Sequence, residues 1–164
     1  MNENEPFYLV NLDKCFLRHK LFTKSIPRAK IHYAVKANND TFLIKLYSFL
    51  GSGFDCASKA EIDQVLKLGV SPAEIIFSNP VKESSSIKYA FDMGVNLMTL
   101  DNEIELIKIK ENHQKARVLI RIKTNDSNAK WGLSVKFGAD FKTAQHLIDL
   151  SKQLGINLVG IILI

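Results

Sequence analysis

One lysine, two aspartates, an asparagine and an arginine recur at one kind of place in this 164-residue chain, the ends of short apolar, β-branched runs. Lys36 follows the run 31–35, Asp55 lies near the end of 53–56, and Asn79 follows 75–78. Asp101 follows 97–100, and Arg121 lies within 118–122. An amine held at a strand terminus and partly withdrawn from water has a lowered pKa and becomes a nucleophile. Such an amine can condense with a carbonyl compound to a Schiff base. Taken singly, Lys36 reads equally well as a surface lysine opening a loop, and Asp101 as a helix N-cap. The set of five argues for a site.

These five positions need elements that bring them to one face. Between the apolar runs lie stretches with apolar residues at three- and four-residue spacing, at 40–50, 58–68, 84–93 and 102–112. Capping residues open them: Asp40 or Thr41, Ser58 with Glu61 three residues on, Ser84, and Asp101. Gly51, Gly69 and Gly94 close the first three. Strand centres fall about 22 residues apart, and strands alternating with helices require a parallel sheet. The fold class is therefore α/β, and the regular repeat predicts a (β/α)8 barrel over a doubly wound sheet. Such folds place their chemistry at the carboxyl ends of the strands. A whole barrel takes roughly 250 residues, whereas only six strands are found, the last at 157–164. The expectation is a partial barrel, residues 31–164, without its closing strands, preceded over 1–30 by an amino-terminal strand and a basic helix. Such a chain would be a fragment of a larger protein.

The segment Tyr33-Ala34-Val35-Lys36-Ala37-Asn38 resembles the lysine motif of the ornithine/diaminopimelate/arginine decarboxylases, barrel enzymes of fold type III that use pyridoxal phosphate. Gly53-Phe54-Asp55-Cys56-Ala57-Ser58-Lys59-Ala60-Glu61 is similar to the ornithine decarboxylase branch of that family. Ser78-Asn79-Pro80-Val81-Lys82, Ile87-Lys88-Tyr89-Ala90 and Leu133-Ser134-Val135-Lys136-Phe137-Gly138-Ala139 extend the likeness, which runs from Phe7 to about Gly160. The resemblance implies that Lys36 bonds covalently to pyridoxal 5'-phosphate, that Asp55 and Glu61 are acids near that bond, and that Arg121 lines the same pocket. It implies removal of the α-carboxylate of ornithine to give putrescine, the first polyamine, by a homodimer. It also implies a contact with antizyme through 83–106, with Lys82 and Lys88 as cations that could meet an acidic partner, although a solvated helix face explains them as well.

Two other readings stay open. One is a noncatalytic antizyme inhibitor of the same lineage, a branch that tends to lose the acid and arginine retained here as Asp55 and Arg121. The other is a single-domain pyridoxal-phosphate homeostasis protein, which the motif around Asp55 disfavours. The likeness also has gaps. Ile164 stands where the family has a histidine stacked on the cofactor ring, and Trp131-Gly132 departs from the usual residues. The acid facing the pyridine nitrogen, the second β domain and the partner subunit's cysteine and aspartate find no counterpart. The 164-residue chain alone is accordingly expected to have negligible decarboxylase activity.

Composition narrows the rest. With 46% apolar, 24% charged and 9% aromatic residues, the chain can build a globular core. Its net charge of +5 is spread along the sequence without a basic block, which reads as a solvated surface and not a nucleic-acid face. Two cysteines, Cys15 and Cys56, exclude a disulfide framework or a cysteine zinc site and suit a reducing, cytoplasmic setting. No apolar run approaches a membrane span, and the start lacks signal-peptide features. The four histidines have no metal-ligand spacing. None of the eight glycines adjoins another, so no glycine-rich phosphate cradle is present. The Ser84-Ser85-Ser86 run reads as a helix start more than as a phosphorylation site.

Overall fold

The computed structural model describes residues 6–7, 9–124 and 136–163. Helix α1, Leu12–Ser25, opens where the Asn11 side chain accepts the Lys14 N–H at 2.9 Å. Residues 6–7 and 9–11 before it are irregular. Strands and helices then alternate: β1 His32–Ala34, α2 Thr41–Phe49, β2 Gly53–Cys56, α3 Lys59–Lys67, β3 Ile75–Phe77, α4 Ser84–Asp92, β4 Leu97–Leu100, α5 Glu103–Asn112, β5 Arg117–Ile122, α6 Phe141–Gln153 and β6 Asn157–Leu163.

The six strands form one parallel sheet in the order β1-β2-β3-β4-β5-β6. Parallel crossovers are almost always right-handed, so crossovers between successive neighbours with no reversal of order put helices α2 to α6 on the same side of the sheet. This is the arrangement of the first six strands of a (β/α)8 barrel. Alternation along each strand then sorts side chains into two sets. Phe54 and Cys56, Ile75 and Phe77, Met98 and Leu100, and Val118 and Ile120 face the helices and are at most 2% exposed. They pack with Ile44, Ile62, Val65, Ile87, Leu106, Ile109 and Leu147 from α2 to α6. Burying each large aliphatic or aromatic side chain contributes about 1.5–3 kcal/mol, which makes this layer the main source of stability. The alternate positions fall on the concave face: Ala34, Asp55, Ile76 and Leu97 lie abreast, as do Thr99 and Leu119, with Arg121 two residues further on.

Cap by cap, the expected helix starts hold in part. The Asp40 carboxylate accepts from Phe42 and Leu43, and Ser58 accepts from Glu61 at 3.2 Å. Ser84 is instead the first residue of α4, after Glu83. Asn102, not Asp101, caps α5 by accepting the Glu105 N–H at 2.9 Å. Asp101 is engaged elsewhere. Gly69 and Gly94 end α3 and α4 at φ +86° and +78°, a conformation that costs a side chain. Strand β6 carries exposed Val159, Ile161 and Leu163 and pairs, among the described residues, with β5 alone.

Lys82 corrects the sequence reading. Its ammonium does not face outward toward a partner: it is fully buried, 2.8 Å from Glu105 Oε1, and donates to the carbonyls of Asn79 at 2.9 Å and Thr99 at 2.7 Å. Glu105 Oε1 also accepts the Lys82 N–H at 3.1 Å, and Oε2 lies 2.6 Å from the Lys108 ammonium. The loop between β3 and α4 is thus tied to β4 and α5 from inside. Lys88 of the same region is exposed.

His113, at the carboxyl end of α5, is buried between the Val95 carbonyl, 3.0 Å from Nε2, and the edge of Phe91. Burial pulls its pKa below the usual histidine value. The unfolded chain then binds a proton that the native state resists, so stability must fall as pH drops through the ordinary histidine range near 6.5. Thermal unfolding from pH 7.5 to 5 should show this decline, and ring titration by NMR should put the His113 midpoint below that of an exposed histidine. A midpoint at or above 6.5 would contradict the burial argument.

Candidate active site at the carboxyl ends of the strands

Lys36 stands in a single tight turn, Val35–Ala37, directly after β1. The turn is anchored by Val35, which is wholly buried. Lys36 itself is exposed, so the withdrawal from water expected of it is not provided by the described residues. Asp55 comes from β2 on the concave face, and the Ser78 hydroxyl donates to its Oδ1. Arg121, from β5, is only 7% exposed, and its guanidinium carbon lies 5.1 Å from the centroid of the Phe137 ring. These groups meet. Lys36, Asp55, Ala57, Ser78, Asn79, Pro80, Arg121 and Phe137 line a single cavity of about 230 Å³ at the mouth of the sheet.

Of the residues singled out from sequence, Lys36, Asp55, Asn79 and Arg121 are brought to this wall. Glu61 is not. Its carboxylate accepts the N–H of Ala57, and its own N–H donates to Ser58, so it shapes the start of α3 behind a wall residue. Asp101 sits at the rim, where its Oδ2 accepts the Gly138 N–H at 2.8 Å and its Oδ1 accepts from the Asn102 side chain at 3.0 Å. Ser78 and Phe137 have site positions that the sequence reading did not assign, although both fall inside the quoted motifs. Ser78 could have been found by alternation, lying two residues after Ile76 on the concave strand face. Phe137 could not, because the contact that places it spans a loop. Trp131, the run 133–135 and Ile164 lie outside the described residues.

The donor set fits an anionic aldehyde cofactor. A primary amine can bond a carbonyl carbon, a guanidinium can pair with negative charge, and a carboxylate fixed by a hydroxyl can face a cationic group. Phe137 and Pro80 supply apolar wall. Cys56 competes poorly as a nucleophile: burial pushes its thiol up to about 12. The described residues hold no cluster of histidine, cysteine and carboxylate side chains suited to a metal ion. Next to the cavity, the starts of α3 and α4 border a wider groove of about 630 Å³ that shares Ala57 and Asn79 but not Lys36.

Residues 12–163 match the family described as pyridoxal-dependent decarboxylase, pyridoxal binding domain. The chain is 44% identical over 160 residues to ornithine decarboxylase of Rattus norvegicus, covering 98% of this chain and 35% of that protein. It is 43% identical over 159 residues to antizyme inhibitor 2 of Xenopus laevis, covering 97% and 35%. The chain therefore spans about a third of the length of these relatives. Its structure superposes with a TM-score of 0.88 on the arginine decarboxylase of Paramecium bursaria Chlorella virus, at 39% identity, over 92% of this chain and 42% of that one.

Proposed function

The chain belongs to the pyridoxal-dependent decarboxylases, through their pyridoxal-binding domain, and on that premise we propose that it holds pyridoxal 5'-phosphate on Lys36 and serves the decarboxylation of ornithine to putrescine in polyamine biosynthesis. The observation that carries this reading is the convergence of Lys36, Asp55 and Arg121 on one cavity from the ends of three separate strands, Lys36 from the turn directly after β1. When bound, the cofactor supplies an electron sink for the pair left at the α-carbon as carbon dioxide departs. The residues of this chain supply the setting. The Lys36 amine, exposed and lining the cavity, is the group that can hold an aldehyde covalently. Arg121 brings positive charge to anionic substituents, and its buried position strengthens that attraction relative to water. Asp55, oriented by Ser78, presents an acceptor to the same cavity as the amine, while Phe137 and Pro80 supply apolar wall there.

Ornithine is the proposed substrate because curated relatives from rat, Schizosaccharomyces pombe and Caenorhabditis elegans at 42–45% identity carry the name ornithine decarboxylase. A homodimer and a cytoplasmic setting belong to the same reading. The described helices include none long and apolar enough to cross a membrane, and both cysteines are free. The likeness to antizyme inhibitor 2 favours a second reading, a noncatalytic product that binds antizyme through 83–106. Exposed Lys88 could serve that contact and buried Lys82 could not.

The two readings separate in a chimera in which these residues replace the matching 160 residues of rat ornithine decarboxylase. Release of carbon dioxide and putrescine from ornithine is expected of the chimera, against negligible turnover by the isolated 164-residue chain. A folded, cofactor-loaded chimera without turnover would overturn the catalytic reading and support the second.

A further inference from the structure

The loop that carries Phe137 is clamped to the end of β5. Ala139 N–H donates to the Arg121 carbonyl at 2.8 Å, and Lys123 N–H donates to the Ala139 carbonyl at 2.9 Å. Ala139 bridges Ile122 in parallel register. Gly138 sits at φ +100°, and a Cβ there would come within 2.9 Å of the Lys123 nitrogen, so the backbone presses directly on the strand. The Gly138 N–H donates to Asp101 Oδ2 at 2.8 Å. A charged acceptor at the end of β4 thereby fixes the residue next to Phe137, whose ring lies against the Arg121 guanidinium in the cavity wall.

We propose that Asp101 is a positioning residue: by accepting the Gly138 N–H it holds Phe137 against Arg121 and so sets where the guanidinium charge stands in the cavity. The inference rests on the cofactor reading above only for its consequence. The hydrogen bond itself is a property of this chain. Both carboxylate oxygens are occupied by donors from the chain, which suits a structural tie better than direct contact with a bound molecule. A hydrogen bond to a charged group contributes about 1.5–3 kcal/mol, about 10- to 150-fold in an equilibrium constant.

The test compares wild-type chain with Asp101→Ala and Asp101→Asn, reading Gly138 amide exchange by NMR and the dissociation constant for added pyridoxal 5'-phosphate. Asn retains an acceptor oxygen without the charge. Asp101→Ala is expected to speed Gly138 exchange at least about tenfold and weaken cofactor binding about tenfold or more, with Asp101→Asn restoring most of both. Unchanged Gly138 exchange in Asp101→Ala would overturn the inference. So would equal weakening of cofactor binding by both variants, which would mark a charge effect. Absence of cofactor binding by the wild-type chain would sink the cofactor reading instead, with Gly138 exchange still deciding the role of Asp101.

Discussion

Lys36→Ala is expected to abolish covalent capture of pyridoxal 5'-phosphate while leaving the fold intact. The side chain is exposed and sits in a turn whose anchor is the buried Val35, so its removal opens no cavity. Surface substitutions of this kind usually change stability by less than about 0.5 kcal/mol. Asp55, Arg121 and Phe137 remain in place to bind the cofactor weakly by charge and contact. The long-wavelength absorbance that wild-type chain gains with the cofactor should be lost in the variant, and apparent affinity should fall at least about 100-fold, or ~2.7 kcal/mol. Retention of that absorbance by Lys36→Ala would mean that another lysine does the work. The remaining cavity-lining residues include no second lysine.

Glu105→Ala is expected to be the most destabilising single change outside the apolar layer. It strips the paired carboxylate from a fully buried ammonium, leaving Lys82 with two carbonyl acceptors and only the weaker attraction of the Asp101 carboxylate. Breaking one side of a buried pair costs about 3–5 kcal/mol, a large part of the 5–15 kcal/mol that typically holds a domain. Urea unfolding should show the midpoint drop accordingly. The double variant Lys82→Met, Glu105→Leu should recover most of the loss, because the uncompensated charge is then gone. A cost for Glu105→Ala below about 1 kcal/mol would show that water reaches Lys82. Burial lowers the pKa of Lys82 even beside its partner, so desolvation outweighs the attraction and the pair is a poor source of net stability. Its visible consequence is geometric: it secures the loop that delivers Asn79 and Pro80 to the cavity.

The sheet was legible because the strands of a parallel sheet read as short β-branched runs, and all six such runs begin and end within one residue of the observed strands. The gathering of Lys36, Asp55 and Arg121 was legible for the same reason: once strand ends are located, a parallel sheet brings them to one rim. Helix α6 went unread although its signals were present. Asp140 accepts the Thr143 N–H at 2.7 Å, and Ala144, Leu147 and Ser151 are buried at helical spacing. Its outer face, with Phe141 84% exposed, blurs the amphipathic pattern.

Other features depend on contacts between residues far apart in the chain, which spacing cannot show. Lys82 reads in sequence as one more surface cation. Glu105, 23 positions away, and the Thr99 carbonyl, 17 away, explain its burial. Asp101 looks like a helix cap because it precedes α5, yet the adjacent Asn102 takes that role and frees the carboxylate for Gly138, 37 residues on. Glu61 resembles a cofactor acid by motif, whereas its local geometry commits its carboxylate to the Ala57 N–H.

The most direct measurement is to incubate the purified chain with pyridoxal 5'-phosphate, reduce with borohydride, digest, and locate the pyridoxyl group by mass spectrometry. A single stable adduct on the peptide containing Lys36 is the predicted outcome. Label dispersed over the surface lysines, or concentrated on a lysine away from Asp55 and Arg121, would show that this cavity is not where the aldehyde is held.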